Sequence, residues 1–270
     1  MSTATAPMEI GLVRLTVRDL PRLADFYAQA LGLAKLSQAG SLARLGVGDT
    51  PLLELTGDPA ARVRSPREAG LFHTAFLLPH RSDLGAWLHF AVNARLPLQG
   101  ASDHHVSEAI YFADPEGNGI EIYTDRPRAG WTGPDGTIRM GTDALDLDDL
   151  ARSATRPWQG APAGTVVGHV HLQVGQVDQA EAFYAGTLGF AVTAYYPGAA
   201  FFGSGGYHHH LAANVWNSRG AGVRMPSTGL AGFELRASAA DLARIDGKTG
   251  GARTLTDPWG TGITLTEKVG

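Results

Sequence analysis

The sequence predicts an α+β protein built from four copies of one βαβββ module. Three observations carry that expectation: the chain repeats itself, strand and helix signals recur in one order, and 35 glycines point to short elements joined by tight turns. The repeat is direct. Residues 11–34 (GLVRLTVRDLPRLADFYAQALGLA) and 168–191 (GHVHLQVGQVDQAEAFYAGTLGFA) are identical at ten of 24 positions, including Val13/Val170, Leu15/Leu172, Phe26/Phe183, Tyr27/Tyr184 and Gly32/Gly189. Residues 114–123 (DPEGNGIEIY) and 257–266 (DPWGTGITLT) recur at a different separation, so the halves have drifted in loop length.

Each half divides again. In the first module, residues 9–57, an alternating strand at 12–17 leads to a helix from about Asp19. Pro21 sits in its first turn, Leu20, Leu23 and Tyr27 share a face, and Gly32 ends it. Short strands at 42–45 and 52–55 complete the unit. Residues 70–125 repeat the order with a strand at 73–78, a helix at 83–93 and strands up to Tyr123. Residues 166–217 give the third module, and residues 228–267 give a shortened fourth. The expected organisation is therefore 1–125 for modules one and two, 126–165 for a Gly- and Pro-rich connector, and 166–270 for modules three and four. A helical patch is expected at 145–152 within the connector.

Bulk composition narrows the partners. Charged residues make up 18% of the chain, against about 25% for an average soluble domain. The net charge is −4 and no basic block occurs, which argues against nucleic acid and anionic membranes as partners. With no cysteine, disulfides are excluded and any metal must be held by nitrogen and oxygen. Residues 1–8 do not read as a signal peptide, and no apolar run reaches the roughly 18 residues of a membrane span. A cytoplasmic protein is expected; its oligomeric state is open.

Several residues call for chemistry. His73 opens an alternating apolar strand and His169 opens its counterpart in module three. Glu121 lies between apolar neighbours in GIEIY, where a half-buried charge needs a partner. His208 belongs to a His-His-His run, in which alternation places 208 and 210 on one face and 209 on the other. His171 shares strand parity with His169. His80, Arg126 and Arg128 read as solvent-facing.

Four βαβββ modules, with FY…LG after a module's first helix and DPxGNxIE in a last strand pair, resemble the vicinal oxygen chelate superfamily of glyoxalases, bleomycin resistance proteins and extradiol dioxygenases. The strings GLFHTAFLLP, QGASDHHVSEAIYFADPEGNGIEIY and GGYHHHLAANVW are similar to its catechol 2,3-dioxygenase branch. The resemblance implies two cups of mixed β-sheet with helices outside. It also implies metal ligands at two positions per module, the start of strand one and the Glu of the DPxG strand. Module one offers Leu12 there, module two His73 and Glu121, module three His169, and module four Gly232 and Thr264. The ligand set is then His73, His169 and Glu121, all from the middle modules. That distribution predicts that modules two and three share a cup across the chain's midpoint, whereas most relatives pair one with two and three with four.

Two histidines and a carboxylate suit Fe(II), with Mn(II) as the alternative. By resemblance, the partners are a small aromatic diol and O2, and the product is a muconic semialdehyde. Tyr111, ten residues before Glu121, hydrogen-bonds a substrate oxygen. His208 is the acid–base group beside O2, with His210 as second choice. His104 or His105 supplies a further histidine: the HxVS string favours His104, and strand parity with Tyr111 favours His105. Trp216 and Asn214 would contact the ring, and His171 would line the pocket. The competing readings are a glyoxalase-like isomerase, a thiol transferase, or a drug-binding resistance protein on the same fold.

Overall fold

The computed structural model describes residues 5–134 and 136–268. Module one comprises β1 (Met8–Val17), α1 (Leu20–Leu31), β2 (Ala34–Ala39), β3 (Leu42–Val47) and β4 (Thr50–Gly57). Module two follows as β5 (Gly70–Leu77), α2 (Arg81–Asn93), β6 (Gly100–Asp103), β7 (Ser107–Ala113) and β8 (Gly119–Asp125). The connecting stretch holds a two-residue strand β9 (Asp143–Ala144) and a helix α3 (Leu147–Arg152). Module three contains β10 (Val166–Gln173), α4 (Val177–Glu181), which runs on as a π-helical turn over Ala182–Thr187, then β11 (Ala191–Tyr196), β12 (Ala199–Gly203) and β13 (Leu211–Asn214). Module four is one strand short: β14 (Gly229–Ala237), α5 (Ala239–Thr249), β15 (Thr254–Thr256) and β16 (Gly262–Glu267). No described helix is long and apolar enough to cross a membrane.

Local chemistry explains the boundaries. Asp19 caps α1 by accepting the Arg22 amide, Pro21 fits the first turn, and Gly32 closes the helix at φ 66°. A Cβ at Gly32 would lie 2.3 Å from the Gly160 Cα, so only glycine allows that close approach. The strand β2 escapes sequence reading because its AKLSQA segment is an exposed, polar sheet edge with no apolar alternation.

Sheet order decides which modules share a cup. One sheet runs β15-β16-β14-β1-β4-β3-β2, joining modules one and four. The other runs β11-β12-β13-β10-β5-β8-β7-β6-β9, joining modules two and three. The antiparallel seams are β1 with β14 and β5 with β10, so each cup crosses the midpoint, as the distribution of ligand positions predicts. A buried apolar core that includes Leu15, Leu53, Phe112, Leu172 and Phe233 runs through both halves. Burial of this kind, worth about 25 cal/mol per Å² of apolar area, is the main driving force for assembling the modules.

The two repeated motifs turn out to be partners. The Tyr27 hydroxyl on α1 donates to Asp114 of the DPEG turn at 2.9 Å, and Tyr184 donates to Asp257 of the DPWG turn at 2.8 Å. Each bond ties the helix of one module to the last turn of the next in the same half. Sheets therefore pair modules across the midpoint while these hydrogen bonds link neighbours along the chain.

Candidate active site

Register brings the predicted ligands together. Across the β5–β10 seam His171 stands opposite His73 and His169 opposite Ala75, while Ala75 pairs in parallel with Glu121 on β8. Side chains directly opposite one another share a face of the sheet, so all of these project into the concave side of the cup. His73 Nε2 lies 2.9 Å from Glu121 Oε2 and 3.3 Å from His169 Nε2, and His169 Nε2 lies 3.2 Å from the same carboxylate oxygen. All three side chains are buried.

This donor set fits a divalent metal. Adjacent ligands around a first-row metal with bonds of about 2.1 Å stand about 3 Å apart when they meet at right angles, close to the separations found here. Burial holds His169 neutral, its pKa lowered to about 4. Burial opposes the charge on Glu121, but the His169 and His73 imidazoles outweigh it and hold the carboxyl well below its usual range. A neutral His169 beside an ionised Glu121 is the protonation state a metal requires.

Among the described residues, the other cup has no such cluster. Its corresponding positions carry Leu12 and Gly232, and the register of Arg14 with Glu54 on β4 matches that of Ala75 with Glu121. Module one thus does carry a carboxylate at the ligand position, contrary to the expectation from sequence. It is neutralised by Arg44 at 2.7 Å and Arg14 at 3.5 Å.

A cavity of about 390 Å³ opens above the triad, within the range of small-molecule sites. Phe72, Phe201, Tyr196 and Trp216 supply aromatic walls, and Tyr111, His104, His171 and His209 supply polar groups. Among the described residues, Glu121 is the only carboxylate that lines it. A second cavity of about 550 Å³ shares Tyr195 and Tyr196 but contains none of the triad.

Backbone geometry decides which of His104 and His105 faces the cavity. His105 adopts φ 67°, turns outward and pairs with Asp143 at 2.7 Å. His104 faces the cavity. Its Nδ1 must donate to the Gly141 carbonyl at 2.7 Å, which leaves Nε2 to accept the Tyr111 hydroxyl at 2.5 Å. Strand parity misleads here because residues 104–106 form a turn between β6 and β7 rather than a continuous strand. The turn is braced by Arg126, which pairs with Asp103 at 2.6 Å and Glu108 at 3.1 Å. Arg126, expected to face solvent, is half-buried and braces this turn; His80 and Arg128 are exposed.

The histidine run needs a correction too. His208 and His210 are fully buried behind the cavity wall, and the ring that lines the cavity is His209, 4.1 Å between centroids from His169. The alternation of sides holds, but the sides are exchanged, because β13 begins only at Leu211 and the preceding residues follow a Gly205–Gly206 turn with positive φ at both glycines. His208 Nε2 instead bonds Asp125 at 2.9 Å. Asp125 went unnoticed in the sequence, although it lies two strand steps beyond Glu121 on the same face of β8.

Trp216 and His171 line the cavity, whereas Asn214 is fully buried. The Asn214 carbonyl oxygen accepts the Trp216 amide at 3.1 Å, so its NH2 donates to His171 Nε2 at 3.0 Å. That bond occupies the nitrogen His171 would need as a ligand. Burial lowers the pKa of His171, His209 and His210 well below the ordinary value.

Four buried imidazoles make the metal-free protein acid-sensitive. Each has a folded pKa below its unfolded value of about 6.5, so on acidification the unfolded chain takes up protons first. Stability is full above pH of about 6.5 and falls toward pH of about 4, where His169 alone accounts for about 3 kcal/mol. Thermal unfolding of the metal-free chain across this range should show a falling midpoint, with a shallower fall in His169→Ala; a flat profile would contradict the burial argument.

The chain is similar to characterised proteins. The Glyoxalase/Bleomycin resistance protein/Dioxygenase superfamily matches residues 9–122 and 166–265. The catechol-2,3-dioxygenase of Bacillus subtilis (strain 168) is 39% identical over 227 residues, covering 82% of this chain and 79% of that protein. The biphenyl-2,3-diol 1,2-dioxygenase 3 of Rhodococcus globerulus is 29% identical over 118 residues, which is 41% of this chain and 60% of that protein. The crystal structure of glyoxalase I from Zea mays superposes with a TM-score of 0.58 at 15% identity, covering 96% of this chain and 92% of that one.

Proposed function

The chain belongs to the Glyoxalase/Bleomycin resistance protein/Dioxygenase superfamily, and from that premise we propose that it is an extradiol dioxygenase that uses O2 to open catechol or a substituted catechol to a muconic semialdehyde. The observation that carries this reading is the buried His73–His169–Glu121 triad at the floor of a cavity that also holds Tyr111, His104 and His209.

His73, His169 and Glu121 would hold Fe(II), or Mn(II), which supplies open positions for a diol and O2 and the one-electron chemistry that protein side chains lack. The remaining work belongs to the chain. The Tyr111 hydroxyl, next to Glu121 and bonded to His104 Nε2, can hydrogen-bond a substrate oxygen and hand its proton to His104. Burial and Glu121 raise the Tyr111 pKa, so the phenol stays protonated until His104 takes part. On the other side of the triad, His209 offers an imidazole that can accept a substrate proton and return it to an oxygen atom. Phe72, Phe201 and Trp216 confine a flat ring and exclude water. An isomerase of the glyoxalase type is disfavoured because module three brings no carboxylate into the cavity.

The test is anaerobic loading with Fe(II), followed by air and catechol, watching for the yellow ring-opened product. Yellow colour dependent on metal and O2 is expected. Failure with catechol and with alkyl- and aryl-substituted catechols, at one iron per chain, would overturn the reading.

A further inference from the structure

Behind the cavity wall lies a chain of polar groups that the proposed chemistry leaves unexplained. Asp125, at the end of β8 in module two, accepts from His208 Nε2 at 2.9 Å and from the Tyr207 hydroxyl at 3.1 Å. Tyr123 is bonded in turn to Tyr207, at 2.8 Å between hydroxyl oxygens. The other nitrogen of His208, Nδ1, lies 2.8 Å from His209 Nδ1. Tyr123, Tyr207 and His208 are fully buried, and the Trp131 ring covers His208 at 4.9 Å.

With one proton on each imidazole, these contacts admit one arrangement. A carboxylate only accepts, so His208 carries its proton on Nε2. The Nδ1 of His208 is then a bare acceptor, and the facing Nδ1 of His209 is its donor. His209 is left with a bare Nε2, the nitrogen not engaged by His208, on a ring that lines the cavity.

We propose that Asp125 and His208 are positioning residues that lock His209 in the Nδ1–H tautomer, so that its Nε2 meets the substrate as a proton acceptor. The inference deepens the dioxygenase reading and rests on it for its catalytic consequence. A proton leaving a substrate hydroxyl would bind His209 Nε2 without displacing any other proton, since the Nδ1–H of His209 stays hydrogen-bonded to His208. The positive charge is faced through His208 by the Asp125 carboxylate, and the same proton returns to a product oxygen. The logic is that of an aspartate orienting a catalytic imidazole, here through an intervening second imidazole. It also makes the site depend on both halves of the chain, because Asp125 comes from module two and both histidines from module three.

The test is Asp125→Asn. An asparagine amide can donate where the carboxylate accepted, so His208 would bear its proton on Nδ1 and His209 would present Nε2–H to the cavity. Long-range 1H–15N spectra of histidine-labelled, Zn2+-loaded full-length protein report which nitrogen is protonated, with His209 assigned through His209→Phe. We expect the Nδ1–H tautomer in the wild type and in Asp125→Glu, and inversion in Asp125→Asn. In the Fe(II)-loaded enzyme, Asp125→Asn should lower kcat by about 10²- to 10⁴-fold with little change in KM. Should Asp125→Asn fail to fold, His208→Phe, which removes the acceptor, should leave His209 in a tautomer mixture. An Nε2–H tautomer in the wild type, or a wild-type tautomer in both variants, would overturn the proposal. Because tautomers are read with zinc, they hold or fail whether or not catechol is cleaved.

Discussion

Replacing His169 with alanine is expected to abolish both tight metal binding and ring cleavage while leaving the fold in place. His169 comes from module three, whereas His73 and Glu121 both come from module two, so the substitution removes module three's whole contribution to the triad. Loss of a supporting hydrogen bond around a metal typically costs roughly 10- to 100-fold in affinity, and loss of a ligand costs more. The fold should survive, because the imidazole sits in the polar floor of the cup, and its Nδ1 is buried without a hydrogen-bond partner. Metal content after dialysis, near-ultraviolet circular dichroism and the catechol assay would check this together. An alanine variant that keeps one iron per chain and makes yellow product would remove His169 from the ligand set.

His209→Phe should have the second-largest effect and a different signature. Phenylalanine keeps an aromatic ring beside His169, so iron loading and KM should stay near wild type. The turnover number should fall by about 10²- to 10⁴-fold, the usual contribution of a positioned acid–base group. His105→Ala offers the contrasting case: that side chain is nearly half exposed and pairs with Asp143 outside the cavity, so turnover should change less than about twofold. Steady-state kinetics on iron-normalised enzyme separate the outcomes. Equal losses in both variants would indicate a general folding defect, and an unaffected His209→Phe would mean that another group moves the proton.

Much of this site is legible in the sequence, for physical reasons that differ by residue. His73, His169 and Glu121 sit inside strands, where side chains alternate with period two and apolar neighbours mark the buried face. Their placement survives folding because register within a sheet cannot slip by one residue without turning every side chain over. The repeated FY and DPxG motifs were equally visible, although that they bond to one another, as in Tyr27 with Asp114, was not.

What the sequence by itself determined is thus the module, its repetition, the identity of the triad and, through where ligands survive, the pairing of modules across the midpoint. Tertiary structure decided the rest. It turned His104 rather than His105 toward the cavity through a positive φ in a turn, and His209 rather than His208 through a glycine pair that interrupts strand parity. It withdrew Asn214 from the cavity to hold His171, paired Glu54 with two arginines, and brought Asp125 against His208 from 83 residues away. The dividing line is the end of the regular strand: alternation carries orientation along a strand but not through a turn, where backbone dihedrals and long-range partners decide which way a side chain points.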